Sequence, residues 1–213
     1  MAKKQFKCPN CGAAGTITID PILHVSKDPD AKARVLCGEY FQWECPQCAK
    51  QYLIDDVFLY YDDLKGLMVY YVPGHKKPTL PVPTLIRTKD DFDWHGSTLR
   101  VTSRFLDLAE KIRIFDAGLD DRVVEAVKFY CNVNFEKAGQ TAHNILFEEL
   151  DADDTLFFSV YHGDNCTGLP VPMAGYLRAQ SDFARFFDAM PDDQFVMVDQ
   201  HWLTQLLSNS QDA

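Results

Sequence analysis

Cys8-Pro9-Asn10-Cys11 and Cys45-Pro46-Gln47-Cys48 hold four thiols in two tetrapeptides. Cys-x-x-Cys is the shortest spacing at which one tight turn offers two sulfurs to a single ion, and two such turns complete the tetrahedron that Zn²⁺ takes in structural sites. The chemistry expected of Cys8, Cys11, Cys45 and Cys48 is therefore a four-thiolate Zn²⁺ centre, with iron as the other ion this donor set could hold. In each turn the proline fixes φ and leaves the following N–H groups free to point at the first sulfur, which moderates thiolate charge. Gly12 suits a left-handed exit from the first turn, whereas Ala49 stands at the matching place in the second and asks for mild strain or a different exit. The rival use of Cys-Pro-x-Cys is a redox dithiol opening a long helix. Seven residues precede Cys8, and Cys48 leads into Gln51-Tyr52-Leu53-Ile54, which reads as a strand, so both pairs are placed at hairpin tips.

Four thiolates close the coordination sphere, whereas catalytic zinc keeps a position for water. A structural ion follows unless a fifth group such as His24 or Cys37 joins. Two other clusters carry chemistry on paper. Asp90-Asp91-Phe92-Asp93-Trp94-His95 could hold a hard cation or run acid–base chemistry, but reads first as a solvated acidic loop. Tyr161-His162-Gly163-Asp164-Asn165-Cys166 brings a histidine, an acid and a thiol together and reads first as a turn. His75, His143 and His201 have no partner spacing. Gly-x-Ser-x-Gly, Walker and Gly-x-Gly-x-x-Gly patterns do not occur. Cys37, Cys131 and Cys166 are expected to be buried free thiols.

The elements that must position these residues follow from pattern. Gly15 to Asp20 alternates as a strand that Pro21 stops. Ser26-Lys27-Asp28-Pro29 caps a short helix from Ala31 to Cys37, with Gly38 as its stop. Tyr40 to Glu44 reads as a strand into Cys45. Val57-Phe58-Leu59-Tyr60-Tyr61 and Leu67-Met68-Val69-Tyr70-Tyr71-Val72 should form a hairpin that extends the ribbon's sheet, apolar on both faces and in need of cover. Prolines 73, 78, 81 and 83 mark an extended connector. Beyond it come a short strand over 98–101, then a helix capped by Thr102 or Ser103 that buries Phe105, Leu108, Ala109, Ile112 and Phe115. Gly118 ends that helix, and Asp120 and Asp121 cap a second with Val123, Ala126, Val127, Tyr130 and Cys131 inward. The short link forces a helical hairpin over 103–137. A further strand pair (145–147 and 156–161), a loop or irregular edge over 163–175, a short helix from Ser181 to Phe187, a strand over 195–198 and a final helix capped by Asp199 complete the chain.

The expected class is α+β: a four-cysteine zinc-ribbon-like β module extended by a β-hairpin (1–72), then a helical hairpin and a smaller antiparallel β/α part (84–213). The 213 residues, 46% hydrophobic and 24% charged, describe a globular protein with ample core. No apolar run approaches about 20 residues and the start is polar, so the expected location is the cytoplasm. Net charge is −10, and residues 1–60 hold seven basic against seven acidic side chains, so the later chain holds the whole deficit. That balance argues against nucleic acid as a partner, the exception being a basic start in which Lys3, Lys4, Lys7 and Lys50 lie near Phe6, Tyr40, Phe41 and Trp43.

The paired Cys-Pro-x-Cys turns, Ser26-Lys27-Asp28-Pro29, the Gly38 stop, the aromatic strands through Val72 and Lys111-Ile112-Arg113-Ile114-Phe115-Asp116-Ala117-Gly118-Leu119-Asp120-Asp121-Arg122 together resemble the CpXC family of bacteria and archaea. The resemblance spans about the first two-thirds of the chain and implies a metal-binding ribbon whose role is uncharacterised; Ala49, where glycine would be usual, is the departure. The functional expectation is a non-enzymatic zinc-binding protein whose metal folds the ribbon and whose acidic remainder meets protein partners, with oligomeric state left open. The alternative is a nucleic-acid-binding ribbon; a hydrolase in the carboxyl-terminal part ranks third.

Overall fold

In the computed structural model, which describes residues 2–54, 56–74, 96–188 and 194–209, local signals set most borders. Strands β1 (Ala2–Lys7) and β2 (Ala14–Ile19) pair antiparallel around the first cysteine turn. Past Pro21 the chain enters a three-residue strand β3 (Ile22–His24) that no alternation announces. Helix α1 (Pro29–Leu36) starts where Asp28 Oδ1 accepts the Ala31 N–H at 3.2 Å, and it ends before Gly38, whose φ of 83° suits glycine. The strand expected over 40–44 is half right: Glu39–Phe41 is a 3-10 turn, and only β4 (Gln42–Glu44) is extended, pairing with β5 (Gln51–Leu53) around the second cysteine turn. The 3-10 turn carries Phe41 to full burial against Phe58, ring centroids 5.2 Å apart.

The aromatic hairpin is β6 (Phe58–Asp62) with β7 (Leu67–Tyr71). It does not continue either cysteine hairpin but forms its own sheet in the order β3-β6-β7-β8, where β8 is Thr98–Thr102 and both outer pairings are parallel. A strand pair apolar on both faces belongs at the centre of a covered sheet, and every residue of β6 and β7 is buried. Around its end Phe105 meets Phe41, and Tyr71 meets Phe58, edge to face, while Phe41 and Phe58 pack tilted. The proline-rich connector and the Asp90–His95 cluster, His75 included, lie outside the described residues apart from Pro73 and Gly74.

The chain divides into two units, Met1–Phe105 and Leu106–Ala213. The second holds α2 (Phe105–Asp116), which begins at the unit border, and α3 (Asp121–Lys137), separated by Gly118 at φ 71° and capped by Asp120, whose carboxylate accepts the Arg122 N–H at 2.9 Å. Then come β9 (Asn144–Leu150), β10 (Thr155–His162) and β11 (Asn165–Pro172) in one antiparallel sheet. Ile145, Phe147, Leu156, Phe158 and Val160 meet Val123, Val124 and Val127 of α3 in a single core.

Three expectations for this unit need correction. The stretch expected as a loop or irregular edge holds the regular strand β11, prolines included. Proline has no N–H, so unbroken pairing through Pro170 and Pro172 requires their ring nitrogens to face away from β10. The Met173 N–H, in the alternate row, donates inward to Asp154 O at 2.9 Å. Helix α4 runs Met173–Phe187 rather than starting at Ser181, because Pro172 sets the entry without a capping side chain. Residues 195–198 form no strand beyond one bridge residue, Val196. The last helix, α5 (Gln200–Asn209), is capped as expected, Asp199 Oδ1 accepting the Trp202 N–H at 2.7 Å. Among the described residues no helix is long and apolar enough to cross a membrane.

Candidate metal centre

The two cysteine turns are near copies. In the first, the Cys8 N–H donates to Ala13 O at 2.8 Å and the Gly12 N–H to Cys8 O at 2.9 Å; in the second, Cys45 N–H donates to Lys50 O at 2.9 Å and Ala49 N–H to Cys45 O at 2.8 Å. Gly12 leaves at φ 75° and Ala49 at φ 55°. The second turn therefore keeps the left-handed exit and accepts the strain of a Cβ there, the first of the two options its sequence left open.

These turns bring the four sulfurs within 4.8 Å of one another. Cys8 and Cys48 sulfurs are 3.7 Å apart, and those of Cys11 and Cys45 3.6 Å. A tetrahedron with metal–sulfur bonds near 2.3 Å has edges of about 3.8 Å, so the donor set fits a four-thiolate ion. Cys8 and Cys45 are buried, Cys48 half-buried and Cys11 exposed. Burial pushes the Cys8 thiol up, but the N–H groups of Cys11 and Asn10 and the neighbouring thiols outweigh it and bring it down to about 6. For Cys11 the Ala13 N–H pulls down, while burial and the crowd of sulfurs from Cys8, Cys45 and Cys48 push up to about 12. The Lys50 N–H holds Cys48 down against burial. Four thiols this close do not all shed their protons without a cation to share the charge.

An aromatic brace stands behind the sulfurs. Trp43 and Tyr52 face each other across the β4–β5 ladder, stacked with centroids 6.2 Å apart, and Phe6 meets Trp43 edge-on at 4.4 Å. A Cβ on Gly15 would lie 2.4 Å from the Trp43 ring, so glycine there lets the indole of one hairpin rest on the backbone of the other. Lys50 Nζ donates to Asn10 Oδ1 at 2.8 Å across the two turns.

His24 stays out of the sulfur cluster: its ring stacks on Tyr61 at 4.7 Å and its Nε2 lies 3.3 Å from Asp63 Oδ1. Cys37 is exposed, its thiol donating to Arg34 O at 3.5 Å, because it is the residue capping α1 beyond the buried face. Cys166 is exposed on β11 and Cys131 half-buried, so the expectation of three buried free thiols fails for Cys37 and Cys166 and is met only in part by Cys131. Near Cys166, His162 Nδ1 contacts Thr141 O at 2.9 Å and the Gly163 N–H donates to His143 Nδ1 at 3.1 Å; these side chains serve a turn. Of the basic residues, Lys4 pairs with Asp56, while Lys3 and Lys7 lie on the alternate face of β1. Phe41 and Trp43, set beside them as stacking rings, are buried.

A second cluster escaped the sequence reading. Glu110 and Lys111 of α2 and Asp121, Glu125 and Lys128 of α3 are all buried. Lys128 Nζ lies 2.6 Å from Glu110 Oε1 and 2.9 Å from Glu125 Oε1, and Lys111 Nζ lies 3.0 Å from Asp121 Oδ2. Gln200 donates to Glu125 Oε2 and the Phe147 N–H to Glu110 Oε1, at 2.7 and 2.6 Å. Burial pushes the Glu110 carboxyl up despite Lys128; Glu125, also desolvated, is held down by Lys128 and Lys111. Lys128 is raised, its two carboxylate partners outweighing desolvation. No sequence signal marked it: at 100° per residue Val123, Val124, Ala126 and Val127 share one face of α3 and Asp121, Glu125 and Lys128 the opposite one, the pattern of an ordinary amphipathic helix.

A family model described as CpXC protein matches residues 6–128, from the strand before the first cysteine turn to the last lysine of the buried ionic cluster. No curated protein and no solved structure matches the chain.

Proposed function

This chain belongs to the CpXC family, and from that premise we propose that Cys8, Cys11, Cys45 and Cys48 bind one structural Zn²⁺ that fixes the two cysteine hairpins as a protein-interaction module. One observation carries the reading: four sulfurs from two separate hairpins lie within 4.8 Å of one another, a closed donor set that leaves no position for a substrate. Zinc is favoured over iron because four thiolates in a tetrahedron satisfy an ion with no geometric preference of its own and no redox chemistry to tune. Bound there, the ion supplies charge neutralisation. The chain supplies the turns, the N–H groups directed at sulfur and the aromatic brace. The net charge of −10 supports basic protein surfaces, met in the cytoplasm, as partners rather than nucleic acid.

Metal analysis of the purified chain tests the site. The expected result is one zinc per chain, lost in Cys45→Ser; a metal-free wild type, or a Cys45→Ser protein with undiminished zinc, overturns it. Pull-down with both proteins tests the module: partners should be retained by the wild type and lost with the metal.

A further inference from the structure

The near-symmetry of the two hairpins breaks at one pair of positions. Phe6 faces Gly15 across the first ladder as Trp43 faces Tyr52 across the second, and Gly15 and Tyr52 each follow their turn's last cysteine by four residues. The space that a counterpart of Tyr52 would need at position 15 is taken by the Trp43 indole. One hairpin can therefore send a hydroxyl across to the other's sulfurs, with no return. Tyr52 Oη lies 3.8 Å from Cys8 Sγ, within hydrogen-bond reach for sulfur. A metal-bound thiolate carries no hydrogen, so in that state the hydroxyl is the donor. The Tyr52 ring is held by its stack on Trp43, which is itself buried.

Cys11 is placed differently. The residue is exposed; its sulfur meets the Ala13 N–H, and Gln47 Oε1, 3.9 Å away on an exposed side chain, is an acceptor that offers a thiolate no hydrogen. Cys45 is fully buried and Cys48 half-buried. Both sulfurs meet backbone N–H groups, but Cys8 adds burial and the Tyr52 hydroxyl, whereas Cys11 is exposed.

We propose that Tyr52 is a positioning residue that fastens the Cys8 thiolate in the metal's shell, and that the centre consequently opens at Cys11, the sulfur from which the ion is released or handed to another thiol. The proposal rests on the zinc-binding reading above.

The test uses the full zinc-loaded chain with limiting iodoacetamide, a chromophoric chelator following released zinc and mass spectrometry locating each alkylated cysteine. Cys37 and Cys166, exposed outside the centre, give the reference rate for an accessible thiol. The expected result is that Cys11 is the first of the four to be modified, with zinc release tracking its modification. Tyr52→Phe keeps the ring and its stack, so the fold is preserved. It should bring Cys8 into the early-modified set, speed release about tenfold, and move the sulfur-to-metal charge-transfer band of the cobalt(II)-loaded protein to lower energy as the sulfur loses its donor. First modification at Cys8, Cys45 or Cys48, or a Tyr52→Phe protein matching the wild type in both release and spectrum, overturns the proposal while leaving zinc binding intact. A chain that takes up no zinc overturns both.

Discussion

The cysteine hairpins and the α2/α3 pair both crowd like charges together, and they neutralise them in opposite ways. In the hairpins four sulfurs converge while two nearby cationic side chains are engaged elsewhere, Lys50 with Asn10 and Lys4 with Asp56. In α2/α3 three carboxyl groups meet two amines inside the fold, with Gln200 and the Phe147 N–H taking further oxygen lone pairs. One region must import its counter-charge and the other carries its own. Stability in the first is therefore tied to metal supply. In the second it is tied to the protonation of its own side chains.

Metal removal should separate the regions most sharply. Structural zinc contributes about 10–16 kcal/mol in small zinc-folded peptides, so complete chelation should abolish hydrogen-exchange protection in β1, β2, β4 and β5 while α2 and α3 keep theirs. Equal loss in both regions would break the contrast. Next in size is Lys128→Met, which strands Glu110 and leaves Glu125 with Lys111 and Gln200 alone; breaking a buried pair costs about 3–5 kcal/mol. Urea-dependent hydrogen exchange of α3 should register it at neutral pH, and adding Glu110→Gln should recover part of the loss. On acidification the two glutamates act oppositely. Glu125, depressed in the fold, contributes fully above its unfolded value of about 4.3 and loses that contribution as pH falls through the lower folded one. Glu110, raised, already takes its proton above about 4.3, so acid relieves its burial. Ala49→Gly is the smallest effect: removing the Cβ at φ 55° should stabilise the zinc-loaded hairpins by about 1 kcal/mol, read as slower zinc loss to a competing chelator. No gain would mean that the second turn is unstrained and the two turns are equivalent.

What the sequence made legible were features set by neighbours along the chain. The cysteine turns, the Asp28, Asp120 and Asp199 caps and the glycine stops at 38 and 118 each depend on a few consecutive residues, and each stands where its pattern placed it. Less legible were features decided by distant packing. Glu39–Phe41 turns because Phe41 must reach Phe58, although a run of aromatics looks extended. Pro170 and Pro172 read as loop formers; whether proline breaks a strand depends on which way its nitrogen faces, and that is set by register with β10. The buried ions looked like an ordinary solvated face because burial of the first two turns of α3 on all sides is a tertiary fact. Tyr52 read only as a strand residue; its reach to Cys8 exists because the second hairpin folds back over the first.

Among the described residues β11 is the outer strand of its sheet, and two of its outward positions present pyrrolidine rings instead of amides. A stranger's backbone laid alongside would find outward N–H donors at Cys166 and Gly168 but none at Pro170 and Pro172. Crowded solutions of this chain should accordingly stay clear of fibril-like stacking along that border, even though the strand's eight residues are otherwise long and uncharged enough to invite it.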